Sequence, residues 1–199
     1  MNSYKFSLLL LTIIGLMVVG CRTNLDEEQD LQQQEYKIYT LVAGQYIHEG
    51  INLLTIEDRT ISPYREMNTS FDFIQYIKEQ SPALAQETAD HFRSKNNQQY
   101  DIERLLDIEI DYVLIKREEF EEIIHGSATF DEGWQTFLDT HSSAGIMAFS
   151  RVGFNSDGNQ ALLYFERGCG PECGSGIFFL LVKDGKNWKI QEKIPAWNA

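Results

Sequence analysis

Two cysteines four residues apart, in Cys169-Gly170-Pro171-Glu172-Cys173, are the residues of this 199-residue chain best spaced for chemistry. Thiols that close can bridge a hairpin loop, exchange with other dithiols, or hold a soft metal. Exchange needs a thiolate, and a helix N-terminus or a neighbouring cation is what lowers a thiol pKa far enough. Here Gly174-Ser175-Gly176 and a strand-like Ile177-Phe178-Phe179-Leu180-Leu181-Val182 follow, so no helix is on offer and a structural bridge is the expected role. The other candidates carry less. His48, His91, His125 and His141 have no His-x-His or His-Glu-x-x-His spacing, so they suggest no zinc site, and His91 and His141 read as partly buried structural residues. Ser142, Ser143 and Ser150 lack a Gly-x-Ser-x-Gly setting. Asn155-Ser156-Asp157-Gly158-Asn159 lacks the alternating acids and distal Glu of a calcium loop and reads as a hairpin turn. Acidic residues are so numerous that no acid–base couple stands out. No catalytic residue, cofactor or metal is expected.

The third cysteine has a different context. Residues 8–19 are an almost unbroken apolar run behind the single charge of Lys5, ending in Val18-Val19-Gly20 before Cys21. As a helix the run would reach about 18 Å, short of the roughly 30 Å of a bilayer core but suited to the hydrophobic region of an export signal. Leu8 to Cys21 resembles the lipobox of bacterial lipoproteins. That resemblance implies transfer of a diacylated lipid, with fatty chains such as palmitate, to the Cys21 thiol, cleavage before Cys21, and a mature chain anchored outside the cytoplasm. Two or more acyl chains would hold it stably where one would not. Arg22 is not the Asp associated with inner-membrane retention, which by resemblance favours the outer membrane. Asp26-Glu27-Glu28 is similar to acidic surface-export signals, although a solvated leader explains it as well.

With Cys21 taken by lipid, Cys169 and Cys173 remain as an even pair in an oxidising compartment, the setting for a disulfide. Their loop also resembles the Cys-Gly-Pro-Cys of thioredoxin-like oxidoreductases, with Glu172 inserted. By that resemblance an extracytoplasmic thiol–disulfide enzyme is the alternative function.

The signal segment 1–20 holds one charge, so its removal leaves 179 residues and moves the net charge from −13 to −14. That length suffices for one domain with a real core. A chain this acidic is repelled by phosphate backbones, which argues against nucleic acid and leaves a basic or envelope protein as a conceivable partner of a monomer. Residues 22–33 are polar and aperiodic, and read with Cys21 as a tether of about 19 Å, with the domain over 34–199.

Within the domain, Ile38, Leu41, Val42 and Tyr46 predict a helix over 31–49 stopped by Gly50. Residues 51–58 predict a short strand, 60–70 a loop and 71–80 a helix. Ser81-Pro82 is a helix-start signal for a helix to Lys95 with Leu84, Thr88 and Phe92 inward. A helical turn at Ile102, Leu105 and Leu106, a strand over 111–116, a helix with Phe120, Ile123 and Ile124 inward, and a helix capped by Asp131 follow. Period-two patterns then mark strands at 144–154, 160–167, 176–182 and 187–194, with Asp157-Gly158 and Asp184-Gly185 as hairpin turns. In the last strand Trp188, Ile190 and Ile194 share a face opposite Lys189, Gln191 and Lys193, as in an edge strand with one wet side.

The expected fold is a single α+β domain with helices on one side of a four-stranded antiparallel meander, extended at most by 51–58 or 111–116. The aromatics Phe71, Phe73, Tyr76, Tyr164, Phe165, Phe178 and Phe179 read as core, or as pocket lining if the sheet curves away from the helices. Trp134 to Trp188 resembles a segment of uncharacterised exported bacterial proteins, which implies no activity. The expected function is a lipid-anchored binding or interaction module of the cell envelope.

Overall fold

The computed structural model describes residues 28–47, 51–66 and 72–199. Residues 28–44 are helical (α1), with Ile38, Tyr39 and Val42 fully buried and Leu31 packed beside them at helical spacing. The helix therefore includes 28–33, expected to belong to the tether, while the expected stop at Gly50 lies outside the described residues.

The chain then runs through β1 (Leu53–Glu57), a short α2 (Pro63–Glu66), α3 (Phe73–Gln80), α4 (Gln86–Lys95) and β2 (Asp111–Ile115). A helical hairpin, α5 (Arg117–Gly126) and α6 (Phe130–His141), leads to β3 (Ile146–Phe149), β4 (Gly153–Phe154), β5 (Gln160–Gly170), β6 (Cys173–Asp184) and β7 (Asn187–Asn198). No helix among the described residues is long and apolar enough to cross a membrane.

The architecture is α+β around one seven-stranded sheet in the order β2-β1-β3-β5-β6-β7, with β4 also paired to β5. The C-terminal strands do form an antiparallel meander, but it is only part of the sheet. β1 lies parallel to both β2 and β3, so the sheet is mixed. Parallel neighbours require long crossovers, and α2–α4 and the α5–α6 hairpin are those crossovers.

Helices also cover both faces rather than one. On one face α1 packs over Phe149, Leu163, Phe165, Phe179 and Leu181. On the other, α3 and α4 pack over Leu162, Tyr164, Phe178 and Leu180, and α5–α6 over Ile115 and Ile146. Successive strand residues point to opposite faces, so strands apolar at every position need cover on both.

Several local expectations are corrected. Ser81 does not start a helix: its N–H caps the end of α3 on the Ile77 carbonyl at 2.7 Å. The start of α4 is held from a distance by Gln160, whose Oε1 accepts from Ala85 N–H (2.8 Å) and Thr88 Oγ1 (2.9 Å). Thr129, not Asp131, caps α6, accepting from Glu132 N–H at 3.2 Å. Residues 102–106 form no helix, and Leu105 is exposed. Within β7, an irregularity opposite Leu180 and Leu181 turns Ile194 onto the α3–α4 face, whereas Trp188 and Ile190 face α1. One extra residue in a bulge reverses which side of the sheet each later residue meets. The expected strand 144–154 is likewise broken, at Ser150-Arg151-Val152.

Candidate functional site

That break is the structural origin of the site. At Ser150 the chain still pairs with β5, giving its N–H to the Tyr164 carbonyl (2.8 Å) and accepting the Tyr164 N–H on Oγ (2.9 Å). One residue later the ladder is replaced by a side chain. Asn96, just past α4 and buried, accepts the Arg151 N–H on Oδ1 (2.9 Å) and donates from Nδ2 to the Arg151 carbonyl (3.0 Å). The amide stands in for a neighbouring strand, meeting the rule that buried backbone groups find partners.

So held, Arg151 reaches Glu35 of α1. Its Nε–H donates to both carboxylate oxygens, at 2.8 and 3.0 Å. Glu35 also accepts the Val152 N–H (2.8 Å) and the Tyr39 hydroxyl (3.0 Å). The Tyr39 hydroxyl lies 2.8 Å from the Ser150 carbonyl as well, which ties α1 to the strand break. The Glu35 side chain is 6% exposed and that of Arg151 20%. A buried pair is tolerated when its remaining lone pairs are satisfied, and here Oε1 accepts three hydrogen bonds while Oε2 shares the Arg151 Nε–H. The Tyr100 ring lies 4.3 Å from the guanidinium carbon, a cation–π contact.

Burial by itself would lower the Arg151 pKa, but the Glu35 carboxylate outweighs it and the net direction is up. Tyr39 is pushed well above its ordinary value, by burial first and then by Glu35, and so stays a neutral donor. Both shifts keep the guanidinium charged and the phenol a hydrogen-bond donor at neutral pH.

A cavity of about 410 Å³ opens over this pair. Glu35, Tyr36 and Tyr39 of α1 form one wall, His91 and Lys95 of α4 another, and residues 100–103 a third. Arg151, Val152 and Phe154 make the floor, and Glu28, Asp101 and Glu103 also line it. His91 Nδ1 meets both backbone groups of Phe154, the N–H at 2.9 Å and the carbonyl oxygen at 3.1 Å. Burial, and then the Lys95 charge, lower the His91 pKa, so the ring is neutral near pH 7. The cavity thus brings together one fixed guanidinium, one ammonium, one neutral imidazole and several aromatic rings. Four carboxylates, of Glu28, Glu35, Asp101 and Glu103, line the same cavity.

Of the residues singled out from sequence, His91 lines the cavity and Ser150 pairs at the strand break, while the others lie elsewhere or outside the described residues. Cys21 and His48 fall outside the described residues. Cys169 and Cys173 are disulfide-bonded at the exposed tip of the β5–β6 hairpin, with a Cα–Cα distance of 5.0 Å. The chain continues as β6 there, so no helix N-terminus faces either sulfur. Phe73, Tyr164, Phe165, Phe178 and Phe179 are buried in the core and take no part in the cavity. No cluster of three or more metal-ligating side chains occurs among the described residues.

Sequence reading missed Glu35, Asn96 and Arg151. The signal for Glu35 was its place on the apolar stripe of α1, three residues before Ile38 and seven before Val42, where a carboxylate needs a buried partner. Arg151 was a lone cation inside an apolar run. Comparison with known protein families, with characterised proteins and with solved structures finds no match, so the site is read from its geometry alone.

Proposed function

We propose that this chain is a lipid-anchored binding module of the bacterial cell envelope, held through Cys21, whose ligand is a small molecule seated in the cavity over Arg151. One observation carries the binding reading: a cavity of about 410 Å³ lined by the largely buried Glu35–Arg151 ion pair, whose guanidinium keeps free donors. Burying two charges costs several kcal/mol per ion before their attraction is counted, and an apolar pair of the same volume is often at least as stable. Such a pair at the bottom of an open cavity is therefore better explained by recognition than by folding. The anchor reading rests on the apolar run that ends at Cys21.

Two measurements test it. Amide NMR of the full chain in a neutral detergent, titrated with a small-metabolite panel, should show saturable shifts confined to residues around 35–39, 91–103 and 151–154. A panel that leaves those amides unmoved sinks the binding reading. Separately, cells fed a labelled fatty acid should incorporate it into the wild-type chain and not into Cys21→Ala, and equal labelling of the two removes the anchor.

A further inference from the structure

Arg151 is fixed from three directions, yet four of its five guanidinium N–H donors are left over. Asn96 holds its backbone, Glu35 its Nε–H, and Tyr100 one face of its guanidinium plane. Both oxygens of Glu35 crowd onto the single Nε, and Oε1 also takes the Val152 N–H and the Tyr39 hydroxyl. Neither η nitrogen of Arg151 donates a hydrogen bond among the described residues, and the side chain lines the cavity. An arginine that served only to neutralise Glu35 would satisfy it best with two parallel bonds from two nitrogens. Here the end-on edge formed by the two η nitrogens is spared, and that edge matches the spacing of two oxygens on one planar head group.

The surroundings narrow the class. Lys95 forms no ion pair among the described residues and lines the cavity beside His91. Opposing these, Glu28, Asp101 and Glu103 line the same cavity, and Asp101 and Glu103 are occupied by Arg59 and Gln32. With Arg151 offset by Glu35, the lining carries more negative than positive charge, which disfavours a multiply charged anion most. Tyr36, Tyr100 and Phe154 offer apolar surface for the rest of the ligand.

We propose that the cavity binds small organic monocarboxylates, the carboxylate received end-on by the two η nitrogens of Arg151 and the body lying against Tyr36, Tyr100 and Phe154. This rests on the binding reading above and names its ligand class. Because the guanidinium is already immobilised, little side-chain entropy is lost when the carboxylate docks.

The test is arginine side-chain NMR on the full chain in a neutral detergent, with benzoate as probe, benzamide as its uncharged analogue and inorganic phosphate as the competing oxyanion. Benzoate should shift the Arg151 Nη resonances and the Val152 and Phe154 amides saturably. Benzamide should bind about tenfold more weakly or worse, since a hydrogen bond between charged groups is lost. Arg151→Lys should weaken benzoate by a similar factor. That variant risks misfolding around Glu35, so Lys95→Gln provides a second arm: it should weaken benzoate while leaving benzamide unchanged. Benzamide binding in the cavity as well as benzoate does overturns the carboxylate anchor and leaves the binding reading standing. Phosphate binding tighter than benzoate overturns the choice of a monoanion. Shifts from none of the three probes at the cavity, with other panel compounds still binding there, also overturn it. Only silence from the whole panel removes both readings.

Discussion

At the scale of single residues, the site is a problem in keeping buried charges paired. Glu35 takes four hydrogen-bond contacts from three residues, two of them in the β3–β4 break, so its loss would be felt well beyond α1. Glu35→Ala leaves Arg151 largely buried without its counter-ion. The expected cost is roughly 3–5 kcal/mol, measurable by urea denaturation. A loss below about 1 kcal/mol would mean that water already solvates the pair. His91 gives a pH signature. Its native pKa lies below the ordinary 6.5, chiefly through burial, so as the pH falls the unfolded chain takes up a proton first. This contribution to stability is complete above pH 6.5, declines as the pH falls below it, and stops declining under the native pKa. His91→Asn keeps an acceptor near Nδ1 for Phe154 but cannot titrate. Its melting temperature between pH 8 and pH 5 should fall less than that of the wild type, and parallel curves would locate the titration elsewhere.

At the scale of elements, α4 carries the site because it touches the sheet with almost nothing in between. A Cβ built on Gly153 would lie 2.4 Å from the Phe92 nitrogen and 2.5 Å from its Cα, so β4 meets the helix backbone directly. Helix backbone does not yield as a side-chain tip would. Gly153→Ala should therefore push α4 outward, destabilise the chain by about 1–3 kcal/mol, and shift the amides of His91 and Phe154 in NMR spectra. Unchanged stability would show that α4 is less firmly seated. The β5–β6 hairpin differs, because the Cys169–Cys173 bridge closes a ring of only five residues at its exposed end. A ring that short contributes about 2 kcal/mol at most. Reduction should lower the melting temperature modestly and leave the cavity resonances in place. Two reactive thiols in the native, unreduced chain would instead favour thiol–disulfide chemistry.

At the scale of the molecule, α1 decides whether the cavity exists, since it supplies one wall and the counter-ion of the floor. Its N-terminal turns are part of the folded unit. Leu31 packs against the core, Gln32 Nε2 donates to Glu103 at 3.1 Å, and Trp188 Nε1–H donates to Gln34 at 3.0 Å across the molecule. A chain beginning at residue 34 should therefore melt several degrees below one beginning at residue 22, consistent with a loss of about 1–2 kcal/mol. Equal melting temperatures would return 28–33 to the tether.

Local rules were enough for much of this. The periods of α1, β5, β6 and the α5–α6 hairpin, and the turns at Gly158 and Gly185 with φ near +60°, follow from side-chain spacing and backbone sterics within a few residues. The acidic balance, the apolar run to Cys21 and the unhelical setting of Cys169 were likewise legible in the chain itself. The start of α4 was not, because its cap comes from Gln160, more than seventy residues away. Nor was the parallel placement of β1 between β2 and β3, which a strand's own period does not encode. The cavity lay furthest from reach. Glu35, Asn96 and Arg151 are each unremarkable in their own neighbourhoods, and they acquire a role only when packing removes water and leaves one another as partners.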